Sequence, residues 1–509
     1  MRRLRLSFIA ATILATLADP LAGQASSSGL RSTARALALV DSAITTHGGV
    51  ARLRAIENVS MTYRGTRWMA YQSERLARPW TTQPTRTDLV MDFKNNRLMR
   101  YSESRYPRDF LFGGTNITTP QGGFFYDPAR AGLGDAVIRF PGGASIATHP
   151  ARRELPAFQL LQLRDRAETV RWLGTRSEKG ATLHGVSYAE PNGAVYELWI
   201  DAATKRLVQL EWLRDDAVDG DQLASYTYSG YRFEQGIPVP TRLIERRNGE
   251  LIRDDTLAIS INTAPASSLF VPPASGFADL SDARPSGPEA EQVRKLADNV
   301  WLMQQLPGGN RVMFVAFRDY VLVIETPTPQ AAATAVLDAV RRTVPGKPVR
   351  YAAFTHHHDD HAGGLRPYIA EGVTIVTTPT NRGFVEHVAN ARHTLRPDAL
   401  SASPRKPVIE TFTTKRVFTD GDMTVELHDI GPTSHVDEIV LAYMPKEKLV
   451  FQGDLLILPD RGEPGPANTL TLEFGRALER LGLHVETIAG VHGRVGTLAD
   501  LKAAIAKRR

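Results

Sequence analysis

Six consecutive residues, His356-His357-His358-Asp359-Asp360-His361, hold four histidines and two aspartates, directly behind the apolar run Val349–Thr355. Few architectures accept such a stretch. The apolar run reads as a buried strand, and the polar cluster at its C-terminal end needs a cleft in which imidazoles and carboxylates find partners. Side chains of an extended segment alternate between its two sides, so His356 and His358 can share one metal ion while His357 points away. Asp360 and His361 follow where the chain turns and can serve a second metal nearby. Ala362-Gly363-Gly364 then lets backbone approach closely and a helix begin.

Around this cluster the chain has two rhythms. Ser32 to His47 carries Leu37, Val40 and Ile44 at helical spacing, stopped by Gly48-Gly49. Val59–Trp68, Leu183–Tyr188, Val195–Ile200 and Arg206–Trp212 are rich in β-formers, and Asn192-Gly193 marks a tight hairpin between the second and third. Seven prolines and glycines between Ala264 and Pro288 read as a linker. Beyond it strands alternate with helices: strands at Val300–Gln304, Val312–Glu325 (broken as a hairpin near Arg318-Asp319), Val349–Thr355, Val373–Thr377, Val417–Asp429, Ile439–Met444 and Leu449–Gln452. The helices are Gln330–Arg342, Asn381–Ala391 and Leu498–Ala506. The expected organisation is a leader at 1–25, a β-rich domain at 30–263, a linker at 264–289 and an α/β catalytic domain at 290–509.

Arg2, Arg3 and Arg5 followed by the apolar run Leu6–Ala18, with small residues at Gly23 and Ala25, have the pattern of a cleaved export signal. A run of thirteen residues, ten of them apolar, is too short to span a bilayer of about 30 Å as a helix. The expectation is a periplasmic or secreted protein cut near Ala25, with no transmembrane segment in the mature chain. A formal charge of +6 spread over 509 residues, without a basic run, argues against nucleic-acid binding and hints mildly at anionic substrates. With no cysteine, thiolate ligands and Cys nucleophiles are excluded.

His-x-His-x-Asp-His followed by Ala-Gly-Gly resembles the signature of the metallo-β-lactamase fold superfamily of hydrolases. Three further motifs match in the family's order: Gly431-Pro432-Thr433-Ser434-His435, Gly453-Asp454 at a strand end, and Gly490-Val491-His492-Gly493. The resemblance covers about residues 290–509 and implies an αββα sandwich with a dinuclear metal site at one edge. Carried over, His356, His358 and His435 would hold one metal, Asp360, His361 and His492 the other, and Asp454 would bridge them. His428, within a strand, is a rival for His435. Two Zn2+ per chain are implied, though iron or manganese suits the same nitrogen and oxygen donors. A hydroxide bridging the two ions would then attack an ester, lactone, lactam or related bond, with Asp360 and Asp454 as the catalytic carboxylates.

Departures from the family's branches narrow the expectation. Lactamases with a cysteine ligand need a residue this chain lacks, and other lactamases usually lack the bridging Asp. Glyoxalase II carries a helical domain after the last His, where only 17 residues follow here. Flavo-diiron oxidoreductases have Glu where this chain has His358. Two other readings stand beside the hydrolase: a mononuclear iron oxidoreductase of the same fold, and a lipid-binding protein with a structural metal domain. The second draws on Tyr228–Pro240, which resembles the open sheets of periplasmic lipoprotein carriers and would present a hydrophobic small molecule. Oligomeric state is not legible.

Overall fold

The computed structural model describes residues 19–105, 111–128, 138–140, 146, 149–275, 292–459 and 462–508. Residues 1–18 of the expected export signal and residues 276–289 of the expected linker lie outside them, while residues 19–25 begin the helix Asp19–Thr46. Among the described residues no helix is long and apolar enough to cross a membrane. The chain forms two compact units, each built from separated stretches.

The first unit comprises residues 1–56, 150–212 and 225–241. Its helix Asp19–Thr46 buries Ala36, Leu39, Val40, Ala43 and Ile44, the spacing of one helical face. An antiparallel meander follows, through Arg171–Glu178, Ala181–Ala189, Val195–Asp201 and the part of Leu207–Asp216 up to Trp212. The expected hairpin turns at Gly193, whose φ of 86° explains the glycine. Aromatic contacts knit the unit together, as where Tyr188 stacks on Tyr196.

The second unit holds the rest, including residues 57–149 from the β-rich part of the sequence. There Asn58–Trp68, Thr82–Asp92, Arg97–Arg105 and Leu111–Thr118 pair antiparallel in succession, and Glu250–Ile261 pairs along the other edge of Asn58–Trp68. The long hairpin loop between Trp68 and Thr82 becomes important below.

Most of the second unit is a four-layer sandwich. One sheet of seven strands includes Val312–Ala316, Val321–Ile324, Val349–Ala353 and Thr374–Thr377; a second of six includes Thr424–Asp429, Val440–Met444, Leu449–Gln452 and Thr487–Gly490. Period-two alternation divides the burial. Met313, Val315, Leu322 and Ile324 face Leu427, Ala442 and Phe451 between the sheets. Phe314, Ala316, Val321 and Val323 pack outward against the helices Gln330–Thr343 and Arg382–Asn390. The second sheet buries Leu441, Tyr443, Val450 and Ile488 under Thr469–Leu481 and Leu498–Ala506. Both faces of each sheet are covered, so these strands are continuously apolar. Each large side chain buried here contributes about 1.5–3 kcal/mol.

The helix ends are capped as their sequences dictate. Asn468 accepts from Thr471 N, Gly482 closes that helix at φ 64°, and Thr497 with Asp500 forms a capping box. The expected strand Val417–Asp429 is instead a hairpin, Lys415–Thr419 and Thr424–Asp429. Asp420 accepts from Asp422 N and Met423 N and so fixes the turn.

Candidate metal centre

Sheet geometry brings the separated motifs together. Val349–Ala353 runs into Thr355–His358 and then the short helix Asp359–Ala362. Leu449–Gln452 lies parallel to Thr487–Gly490 with Gln452 opposite Gly490, so Asp454 and His492 each stand two residues past a register pair. Gly453 between them is sterically required: a Cβ there would sit 2.7 Å from Thr355 Oγ1 and 3.1 Å from His356 Nδ1. His435 is carried by a turn in which Thr433 Oγ1 accepts from His435 N and Val436 N, both at 3.2 Å.

All seven expected residues converge. His356, His358, His435 and Asp454 form one group and Asp360, His361 and His492 a second, with the donor atoms within each group no more than 4.8 Å apart; either could hold a metal ion. Asp454 faces both. Its Oδ2 lies 3.1 Å from His435 Nε2, while its Oδ1 lies 3.2 Å from His361 Nε2 and 3.3 Å from His492 Nε2. Asp360 Oδ2 lies 3.4 Å from His492 Nε2.

The electrostatics are those of a cation site. Burial, reinforced by neighbouring imidazoles, pushes His356 and His358 well below the usual histidine range and keeps them neutral, as metal ligation requires. Burial would do the same to His361, but Asp360, Asp454 and Glu325 overcome it and draw its pKa upward. Burial would likewise raise Asp454 and Asp360; for both, His361 helps hold the carboxylate well below its ordinary value. His358 Nδ1 is buried with no hydrogen-bond partner, and buried His361 Nε2 and Asp454 Oδ1 face each other at 3.2 Å without hydrogen-bond geometry. Leaving such atoms unsatisfied is costly, and imidazole and carboxylate donors suit a divalent ion. The residues fit the group.

Supporting residues escaped the sequence reading. Glu325, fully buried, receives Thr355 N on Oε1 at 3.0 Å and places Oε2 3.5 Å from His361 Nδ1. Its φ of 92° is a conformation L-residues rarely adopt, the kind of strain found at functional sites. An acidic residue ending the all-apolar strand Val321–Ile324 was the available signal. Thr355 Oγ1 lies 3.1 Å from His356 Nδ1. Gln72 and Ser73, in the hairpin loop, also touch the cluster, and no sequence pattern marks them. His357 turns away from both groups, with Nε2 2.9 Å from the Ser73 carbonyl. His428 pairs with Glu426 at 2.9 Å and belongs to neither group.

Residues 306–492 match the family model described as the metallo-beta-lactamase superfamily. They form a metallo-beta-lactamase superfamily domain. Similar solved structures include a metallo-beta-lactamase from Pontibacter korlensis, 22% identical, covering 42% of this chain and 97% of that one at a TM-score of 0.33. One from Hirschia baltica is 20% identical, with 43% and 97% covered and a TM-score of 0.32. The metallo-beta-lactamase FIM-1 from Pseudomonas aeruginosa, in its mono-zinc form, is 16% identical, with 42% and 93% covered and a TM-score of 0.32. In this metallo-beta-lactamase superfamily domain the αββα layers are the expected ones.

Proposed function

We propose that the chain is an exported hydrolase that binds two zinc ions and cleaves an ester, lactone, lactam or related bond in a small molecule. The observation that carries the reading is Asp454, which turns one oxygen to each of two His/Asp groups. When bound, a metal pair supplies an acidified water and Lewis-acid polarisation of the bond to be cleaved. The protein's part is to hold neutral imidazoles, aim the carboxylates, and keep the site dry on the side of His356 and His358. Asp360 and His492 form the wetter side, with 36% and 27% of their side chains exposed, and substrate would enter there. The basic start and short apolar run support export, and the Tyr228–Pro240 likeness supports a carrier-like role for the β-rich region toward hydrophobic substrates.

The test is metal content together with proton release in weak buffer. The panel comprises a cephalosporin, an acyl-homoserine lactone, an aryl ester, an alkyl sulfate and a phosphodiester. Two zincs per chain and chelator-sensitive turnover of one class are expected. One iron per chain without hydrolysis would overturn the reading in favour of a mononuclear oxidoreductase.

A further inference from the structure

We infer that the hairpin loop Met69–Thr81 is a working part of the metal centre, with Gln72 and the Ser73 carbonyl as positioning groups for Asp360 and His358. The inference rests on the two-metal reading above and extends it to residues more than 200 positions before the family-matched domain.

The contacts are specific. The Gln72 side-chain nitrogen donates to Asp359 Oδ1 at 2.6 Å and Asp360 Oδ1 at 2.7 Å. Two ionised carboxylates can only accept, so the amide must present its NH2 to them. Engaging Asp360 Oδ1 leaves Oδ2 turned toward His492 and His361, and a neutral double donor eases the repulsion between neighbouring acids without cancelling the charge a cation needs. One residue on, the Ser73 carbonyl lies 2.9 Å from His357 Nε2 and 3.0 Å from His358 Nε2. A carbonyl can only accept, so the proton of His358 sits on Nε2 and its lone pair on Nδ1, the buried atom with no hydrogen-bond partner. The loop thereby selects the tautomer that ligation needs, the role usually filled by groups behind a metal ligand.

The loop is held in place rather than draped. Asp359 N donates to Tyr71 O at 3.1 Å and Asp437 N to Glu74 O at 2.9 Å, which pins it to both sides of the site. Ser73 Oγ donates to Thr81 Oγ1 at 2.9 Å and accepts from Thr81 N at 2.8 Å, closing the loop on itself. The Tyr71 hydroxyl donates to Asp219, which also pairs with His387 at 2.7 Å. Ser73 is 1% exposed. A surface loop with no role in the centre would need neither that burial nor two contacts with metal-facing residues.

The experiment titrates Zn2+ into the metal-stripped full chain against a chromophoric chelator, for the wild type, Gln72→Ala, Gln72→Glu and Gln72→Met. Thermal unfolding of the stripped forms reports folding. In Gln72→Ala and Gln72→Met the second zinc should bind about 10–100-fold more weakly, while the first binds as in the wild type and the stripped proteins melt alike. Gln72→Glu, which replaces the donor with a third carboxylate of the same shape, separates positioning from charge. Its second zinc should bind more weakly than in the wild type despite the added negative charge. Unchanged second-zinc affinity in Gln72→Ala and Gln72→Met, or tighter binding in Gln72→Glu, overturns the inference while leaving the two-metal reading intact. A wild type that takes up fewer than two zincs overturns that reading and the inference with it.

Discussion

The two groups that could hold metal ions are built differently. His356 and His358 are 0% and 1% exposed, and their rings are fixed by Thr355 and by the Ser73 carbonyl. Asp360 and His492 are partly exposed while His361 is buried, and the second group depends on Glu325 behind His361 and Gln72 behind Asp360. The first group rests mainly on buried imidazoles, the second on one buried imidazole with charge and reach around it. Burial and neighbouring imidazoles hold His356 and His358 neutral, whereas a partly exposed carboxylate needs a partner to hold it in one orientation. The first group should therefore keep its metal better than the second.

The most damaging way to break that contrast is to remove what the groups share. Asp454→Ala should leave no more than one tightly held metal and lower kcat/KM by at least about 10^3-fold, equivalent to about 4 kcal/mol of transition-state stabilisation; metal analysis and kinetics on one preparation check both. Limited chelation should strip the open group first, so that activity falls to near zero while about one equivalent remains bound. Simultaneous loss of both metals would show the groups to be equal.

Two smaller changes sharpen the comparison. Gly453→Ala drives a methyl against Thr355 and His356, and such overpacking costs about 1–3 kcal/mol; a lower Tm and weaker first-site binding are expected. Glu325→Gln keeps a hydrogen bond for Thr355 N but removes the charge near His361, and should weaken the second metal about 10–100-fold. Equal weakening at both sites would break the assignment.

Four motifs in order made the seven candidate ligand positions legible, three of the motifs at strand ends where an apolar run stops at His or Asp and the fourth, that of His435, in a Gly-Pro turn. The alternation of strands and helices after residue 290 was equally plain. What stayed hidden was support from a distance. Gln72 acts through a side chain common on any surface, and Ser73 through a backbone carbonyl that every residue possesses, so nothing in the letters distinguishes them. Strands such as Thr82–Asp92, half-exposed and interrupted by Pro84 and then four charges or hydroxyls in a row, lack the clean alternation that makes a strand readable.

The smallest expected effect concerns the anchor of the hairpin loop. The hydrogen bond to Asp219 raises the His387 pKa, with burial opposing it and Asp216 adding a further upward pull. A raised folded-state pKa contributes stability fully present below the unfolded value of about 6.5 and lost as pH rises through the folded value. Asp219→Asn should therefore cost more at pH 5.5 than at pH 8.5. The difference should stay within about 1 kcal/mol, since the His387 side chain is half exposed and screened. Denaturant unfolding at the two pH values measures it, and a larger cost at pH 8.5 would reverse the sign assigned to the pair.

Ser73 and His358 are 285 residues apart in the chain, and that interval has a meaning in time. At about 5–20 residues per second, a ribosome needs roughly 15–60 s to add the imidazole after the carbonyl that orients it. Throughout that interval the hairpin loop waits without its counterpart, and His435 and His492 come later still. An ion captured early would meet rings still free to turn, so the reactive edge can be completed only once His492 has been added.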